Sequence, residues 1–437
     1  MTNPHQRTQL RRAVLSSYLG SVIEYYDFLL YATASAVVFN RVFFSTLDPL
    51  VGTVASFGTL AAGHFARPLG GVLFGHFGDR LGRKRMLILT MALMGVASTL
   101  IGLLPTYDQV GALAPVLLVL LRVLQGVAVG GEWGGAVLMS AEHATSRRGL
   151  WASFTNAGAP SGLVLSTLVL TLAASFTGEE AFLAWGWRIP FLLSVVLLAV
   201  GLFVRAKVEE TPVFAAATPD ATAAPPLLEV LRKHPRNLIL AVGVGFGAFV
   251  AQGTMTTFVI SYAVQAGFPR PTVLNALTLA STASIFGIIG FSALSDRLGR
   301  RPVVLTGALA MAAWSFLIFP LIDSGSTALL TLTVVVGMGL IHSAMYGPLA
   351  ALYSELFSTR SRYTGASLGY QIAGLGSGLA PVVFASVLSG GGSTALVSTI
   401  IAAFCLVAVG CILAISETSR KDLTEEPVAG GRDVRVS

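Results

Sequence analysis

GHFGDRLGRKRMLILT at residues 75–90 and SALSDRLGRRPVVLTG at 292–307 decide how this chain is read. The DRLGR core returns after 217 residues, half the length of the 437-residue chain. Each copy stands between two long apolar runs. A basic loop alone would say little, because loops on the cytoplasmic side of any membrane are enriched in Lys and Arg. The same five residues at the same place in both halves imply two parallel bundles related by an axis along the membrane normal.

The flanking runs support this. ILTMALMGVASTLIGLLP (88–105), IPFLLSVVLLAVGLFV (189–204) and STIIAAFCLVAVGCILAI (398–415) approach the roughly 20 residues that cross a bilayer as a helix. The chain is 54% hydrophobic and 11% charged with a mean hydropathy of +0.76, where soluble chains carry about 25% charged residues. Twelve spans are predicted, at 14–38, 51–78, 86–104, 112–139, 150–174, 187–204, 237–262, 274–294, 303–322, 328–352, 363–389 and 394–415. The expected fold is an all-α membrane protein of twelve transmembrane helices in two six-helix halves, 1–204 and 237–415. A linker at 205–236 joins them and a tail follows at 416–437. The linker contains AAATPDATAAPP (215–226), a poor helix former that reads as flexible.

With the N-terminus placed in the cytoplasm, 23 of the 28 Lys and Arg residues fall on that side, three fall outside, and Arg67 and Arg122 lie within spans. This distribution sets the predicted orientation, with both termini cytoplasmic. Positives that follow alternate loops do not form the contiguous face a nucleic acid requires. DRLGRKR lacks the phosphate cradle of an ATP-driven pump. Cys405 and Cys411, six apart in the last span, imply neither a disulfide scaffold nor a metal cluster. The polar, basic N-terminus is not expected to be a cleavable signal peptide. No enzyme chemistry is expected.

IEYYDFLLYA (23–32), FARPLGGVLFGHFGDRLGRKR (65–85), LRVLQGVAVGGEWGGAVLMSAEHA (121–144) and WGWRIPFLLS (185–194) resemble the major facilitator superfamily, within it the metabolite:proton symporters. That group contains bacterial carriers for shikimate, α-ketoglutarate, citrate, proline and betaine. The resemblance covers essentially all twelve spans and is sharpest in the first half. It implies proton-coupled uptake of a small organic acid in the bacterial inner membrane, with the proton as coupling ion and no other cofactor. A monomer in the lipid bilayer is expected. It also implies a conformational latch in the DRLGR loops and a part in coupling for the arginine of the fourth span. Shikimate carriers commonly have Asp where this chain has Glu24, and the second loop has Ser292 where the superfamily prefers Gly. Uptake of a zwitterion such as proline or betaine, a proton-driven exporter, and a membrane sensor built on the same fold are the alternatives.

Several residues stand out on physical grounds. Asp79 and Asp296 end their helices and can pair with Arg83 and Arg300 or accept from a neighbouring helix N-terminus. With Arg80 and Arg297 they form the expected gate, which must break when the halves rock. Glu24 and Asp27, three apart in the first span, lie about 60° apart around a helix and can share one cavity. They are the proton-site candidates together with Glu132, and the pair is expected either to share one proton or to have one carboxylate answer Arg122. An arginine as deep as Arg122 needs water or a partner, and its planar fork suits a carboxylate. Glu132 is either locked to a neighbour such as Arg67 or open to the cavity, and Arg67 reads as structural, grouped with the gate. Tyr31, Asn156, Gln252, Tyr346 and Gln371 are candidate solute contacts. His342 can titrate or serve as a structural histidine. Tyr25 is expected to pack, and Glu142 and Glu355 to sit at a solvated edge.

Overall fold

The computed structural model describes residues 4–47, 49–211 and 225–419. Most of the AAATPDATAAPP stretch, and the tail cations Arg420, Lys421, Arg432 and Arg435, lie outside the described residues. Twelve long helices carry the fold. In the first half they are α1 (Pro4–Ala34, running into a π-helical turn at Ser35–Phe39), α2 (Pro49–Leu81), α3 (Arg83–Leu103), α4 (Leu113–His143), α5 (Arg148–Thr177) and α6 (Phe182–Ala206). The second half has α7 (Pro235–Gln265), α8 (Arg270–Leu298), α9 (Arg300–Asp323), α10 (Thr327–Leu356), α11 (Arg362–Ser389) and α12 (Thr394–Ala414).

Ten of these are long and apolar enough to cross a membrane by length and composition alone. The two that fall short, α1 and α2, hold Glu24, Asp27 and Arg67. Several helices overrun the predicted spans, α1 beginning at Pro4 and α4 ending at His143. The apolar run marks only the bilayer-facing part, while backbone hydrogen bonding continues into the basic end.

The DRLGR loops become tight turns. Gly82 (φ 106°) and Gly299 (φ 103°) occupy a conformation that side chains rarely adopt, and each starts the next helix. Their shared geometry follows the shared sequence. Within the first half, α2 and α4 approach through small residues, and a Cβ on Gly130 would run into the Arg67 carbonyl. The halves meet where α2 packs on α11 and α5 on α8. A short linker helix, Pro226–Lys233, lies against α2, α7 and α11, and its Glu229 accepts a hydrogen bond from Ser358 Oγ at 3.3 Å.

Candidate functional site

At the basic end, the first turns of α11 and α5 present backbone N–H groups that have no partner within their own helix. Asp79 accepts from Tyr363 N at 3.1 Å, Thr364 N at 3.0 Å and the Thr364 hydroxyl at 2.9 Å. Asp296 accepts from Gly149 N and Leu150 N, both at 2.8 Å. Each carboxylate thus sits on the positive end of a helix from the opposite half.

Arginines complete the arrangement. Arg83 lies 3.7 Å from Asp79 and 3.5 Å from Glu142, and Arg362 lies 3.0 Å from Glu142. In the counterpart, Arg300 lies 2.7 Å from Asp296 and 3.1 Å from Glu355, which Arg148 also meets at 3.1 Å. Two quartets of two acids and two arginines therefore tie the halves together. Glu142 and Glu355, expected at a solvated edge, are buried because the opposite half covers them. Arg80 and Arg297 are exposed and stand outside both quartets.

A second repeat closes each quartet from below. Glu210 accepts from Lys84 N at 3.2 Å, and Thr211 hydrogen-bonds Glu142. Glu417 accepts from Arg300 N at 2.9 Å and Arg301 N at 3.1 Å, while Thr418 Oγ1 donates to Glu355 at 2.6 Å. Burial alone would raise the Glu417 carboxyl, but the N–H groups of Arg300, Arg301 and Ser419 outweigh it and hold it below its usual range. The Glu-Thr pairs at 210–211 and 417–418, 207 residues apart, are a second repeat legible in the sequence.

Deeper in the first half, three carboxylates and two arginines are buried together, with a third arginine, Arg67, half-buried beside them. Glu24 pairs with Arg67 at 3.3 Å, and Glu132 pairs with Arg205. Arg67 was the neighbour expected for Glu132; the structure gives that place to Arg205, which turns inward from the last turn of α6. Arg205 was read as a cytoplasmic charge at the start of the linker, yet it is 2% exposed. No sequence signal marked it, since a basic residue at the end of a span fits the topology rule.

Glu24 and Asp27 do not share a partner. Asp27 Oδ1 accepts from Ser194 Oγ on α6 at 2.6 Å, and Ser98 on α3 also hydrogen-bonds it. A polar chain then runs from Ser98 to Gln125 Nε2 (2.7 Å) and from Gln125 Oε1 to Arg122 Nη1 (3.1 Å). Arg122 therefore reaches Asp27 through two side chains, Gln125 and Ser98. Its guanidinium rests over the rings of Phe28 (4.5 Å) and Tyr31 (4.2 Å), where the ring faces attract a cation. Tyr31 is itself held by Thr59 Oγ1 at 2.6 Å. Nε and Nη2 of Arg122 are buried without a hydrogen-bond partner among the described residues.

Between the halves, Tyr25 OH lies 3.3 Å from Tyr370 OH, which hydrogen-bonds Tyr346 OH. Tyr25 was expected only to pack. Trp133 stacks on Tyr370 with centroids 3.5 Å apart. The Asn156 amide accepts from Trp133 Nε1 and donates to the Tyr346 carbonyl, both at 2.9 Å. Gln371 Nε2 donates to the Gly130 carbonyl at 3.1 Å, and Gln252 is half-buried on α7. Asn156 and Gln371 thus join the halves, while Arg122 keeps donors to spare.

The profile of the Major Facilitator Superfamily matches residues 18–381 and 276–433. The chain is 39% identical over 430 residues to the shikimate transporter of Escherichia coli K12, covering 96% of this chain and 98% of that protein. It is 34% identical to the glycine betaine/proline/ectoine/pipecolic acid transporter OusA of Dickeya dadantii, covering 86% of this chain and 77% of that one. Among solved structures, the proton:xylose symporter XylE bound to 6-bromo-6-deoxy-D-glucose superposes with a TM-score of 0.77 at 20% identity, covering 96% and 98% of the two chains.

Proposed function

The chain belongs to the Major Facilitator Superfamily, and from that premise we propose that it takes up a small organic acid together with protons by alternating access. It is a multi-pass membrane transporter. The substrate reading leans on the relative named for shikimate and on one observation above all, the buried Arg122 with Nε and Nη2 unpartnered. A guanidinium edge with two free donors suits a carboxylate.

Asp27 is the proton carrier in this reading. Glu24 and Glu132 each face an arginine, whereas Asp27 has only hydroxyl partners within hydrogen-bonding distance. Closing the site around an uncompensated charge is costly, and a proton on Asp27 removes that cost. The chain through Ser98 and Gln125 links its protonation to the arginine that holds the solute. The two quartets keep the basic end shut, and their separation lets the solute leave there. The distribution of positive charge makes that end cytoplasmic, in a bacterial inner membrane with both termini inside.

Shikimate accumulation in proteoliposomes under an inward proton gradient tests the reading. Asp27→Asn is expected to abolish accumulation and leave solute exchange. Normal gradient-driven accumulation by Asp27→Asn would remove Asp27 from the mechanism. Proline or betaine is the second reading, favoured by the OusA relative, and accumulation of these without any organic acid would establish it.

A further inference from the structure

We propose that His342 is a specificity residue of the second half, which hydrogen-bonds an uncharged hydroxyl of the solute whose carboxylate Arg122 holds. The carrier then selects hydroxylated carboxylic acids over acids and zwitterions that lack hydroxyls. The proposal rests on the uptake reading above.

His342 ends a π-helical segment of α10, Val335–His342. Such segments add a residue to the turn, re-aim the side chains, and often occur at functional sites. The imidazole is 3% exposed, and neither ring nitrogen completes a hydrogen bond of normal geometry, although the ring approaches the Ala248 backbone on α7. A neutral imidazole carries one donor and one acceptor, and burying both unmatched is unfavourable. A hydroxyl donates and accepts, so it matches either tautomer.

The surroundings favour a neutral partner. The side chain stacked on the ring is Tyr346 (centroids 5.3 Å apart), and the charged groups of the membrane interior sit in the first half. A line of contacts also connects His342 with Arg122. The Tyr346 hydroxyl leads through Tyr370 to Tyr25 on α1. Phe28, on which the Arg122 guanidinium rests, follows Tyr25 by three residues on the same face of α1, about 4.5 Å along the axis. His342 on Tyr346, Tyr346 through Tyr370 to Tyr25, and Phe28 one turn along α1 beneath the guanidinium form a continuous line of contacts across the seam of the two halves.

The test compares kcat/KM for shikimate, a ring acid with three hydroxyls, and cyclohexene-1-carboxylate, the same ring without them, in proteoliposomes. His342→Ala is expected to reduce the preference for shikimate about tenfold through KM, leaving cyclohexene-1-carboxylate unchanged. His342→Asn, which keeps a donor and an acceptor, is expected to restore part of it. Equilibrium binding of both acids to the purified variants separates lost recognition from lost folding. An unchanged preference in His342→Ala, or an equal loss for both acids, overturns the proposal. Failure of the unmodified carrier to take up or bind either acid overturns the uptake reading beneath it.

Discussion

Arg205 ends α6 beside the basic loops, yet its guanidinium crosses the bundle to Glu132 and to the Leu87 carbonyl. Removing one member of a buried pair leaves the other uncompensated. Arg205→Ala is therefore expected to destabilise the protein by about 3 kcal/mol. Arg205→Met combined with Glu132→Gln is expected to recover most of that loss, and thermal unfolding in detergent measures both. Equal losses in the single and double variants would mean that the pair is not the source. Arg122 and Asp27 were legible as residues because ionisable side chains are conspicuous in apolar runs. Their partners were not: Ser194 and Ser98 come from two other helices, and Gln125, three residues after Arg122 on α4, is an uncharged side chain that bears no mark in the sequence.

The informative unit at the element scale is the helix N-terminus capped by a carboxylate from the other half. Asp79→Asn keeps the size of the side chain and removes the charge that holds the first turn of α11. The basic end is then expected to open in a larger fraction of molecules. Spin labels at the exposed positions Arg147 and Arg297, on opposite halves, are expected to show a longer distance population. An unchanged distribution would exclude this cap as a latch.

The tail clasp adds a dependence on pH. The Glu417 carboxyl is held below its usual range, so its contribution is complete above the unfolded-state pKa and is lost as pH falls through the lower folded value. A cysteine at Ser419 is expected to keep constant reactivity toward a pH-insensitive probe down through the ordinary glutamate range. In Glu417→Gln it is expected to be reactive throughout. The two quartets were half legible: the DRLGR repeat exposed Asp79, Arg83, Asp296 and Arg300. The buried acids Glu142 and Glu355 looked like loop charges until the other half was placed over them.

Across the whole molecule, the buried ionisable array of the first half holds three acids, Glu24, Asp27 and Glu132, and three arginines, Arg67, Arg122 and Arg205. Arg67 is the least enclosed of the six. Fully ionised, the array is neutral. A monocarboxylate adds one negative charge, and a closed low-dielectric site is expected to admit it with one proton. Uptake of shikimate at a fixed pH gradient is then expected to be indifferent to a potassium diffusion potential imposed with valinomycin. Several-fold stimulation by an inside-negative potential would show that more than one proton enters per solute.

The sequence by itself determined the membrane class, the twelve spans and the duplicated loops, because hydropathy, span length and repetition are properties of order along the chain. Beyond the i,i+4 pairs of the two DRLGR turns, tertiary structure decided which acid meets which arginine. Glu24 and Asp27 are neighbours on one helix, but α2 supplies Arg67 to the first and α6 supplies Ser194 to the second. A helix fixes only the direction in which a side chain points. The groups that meet it, and therefore whether its charge is balanced, depend on how the other helices are packed around it.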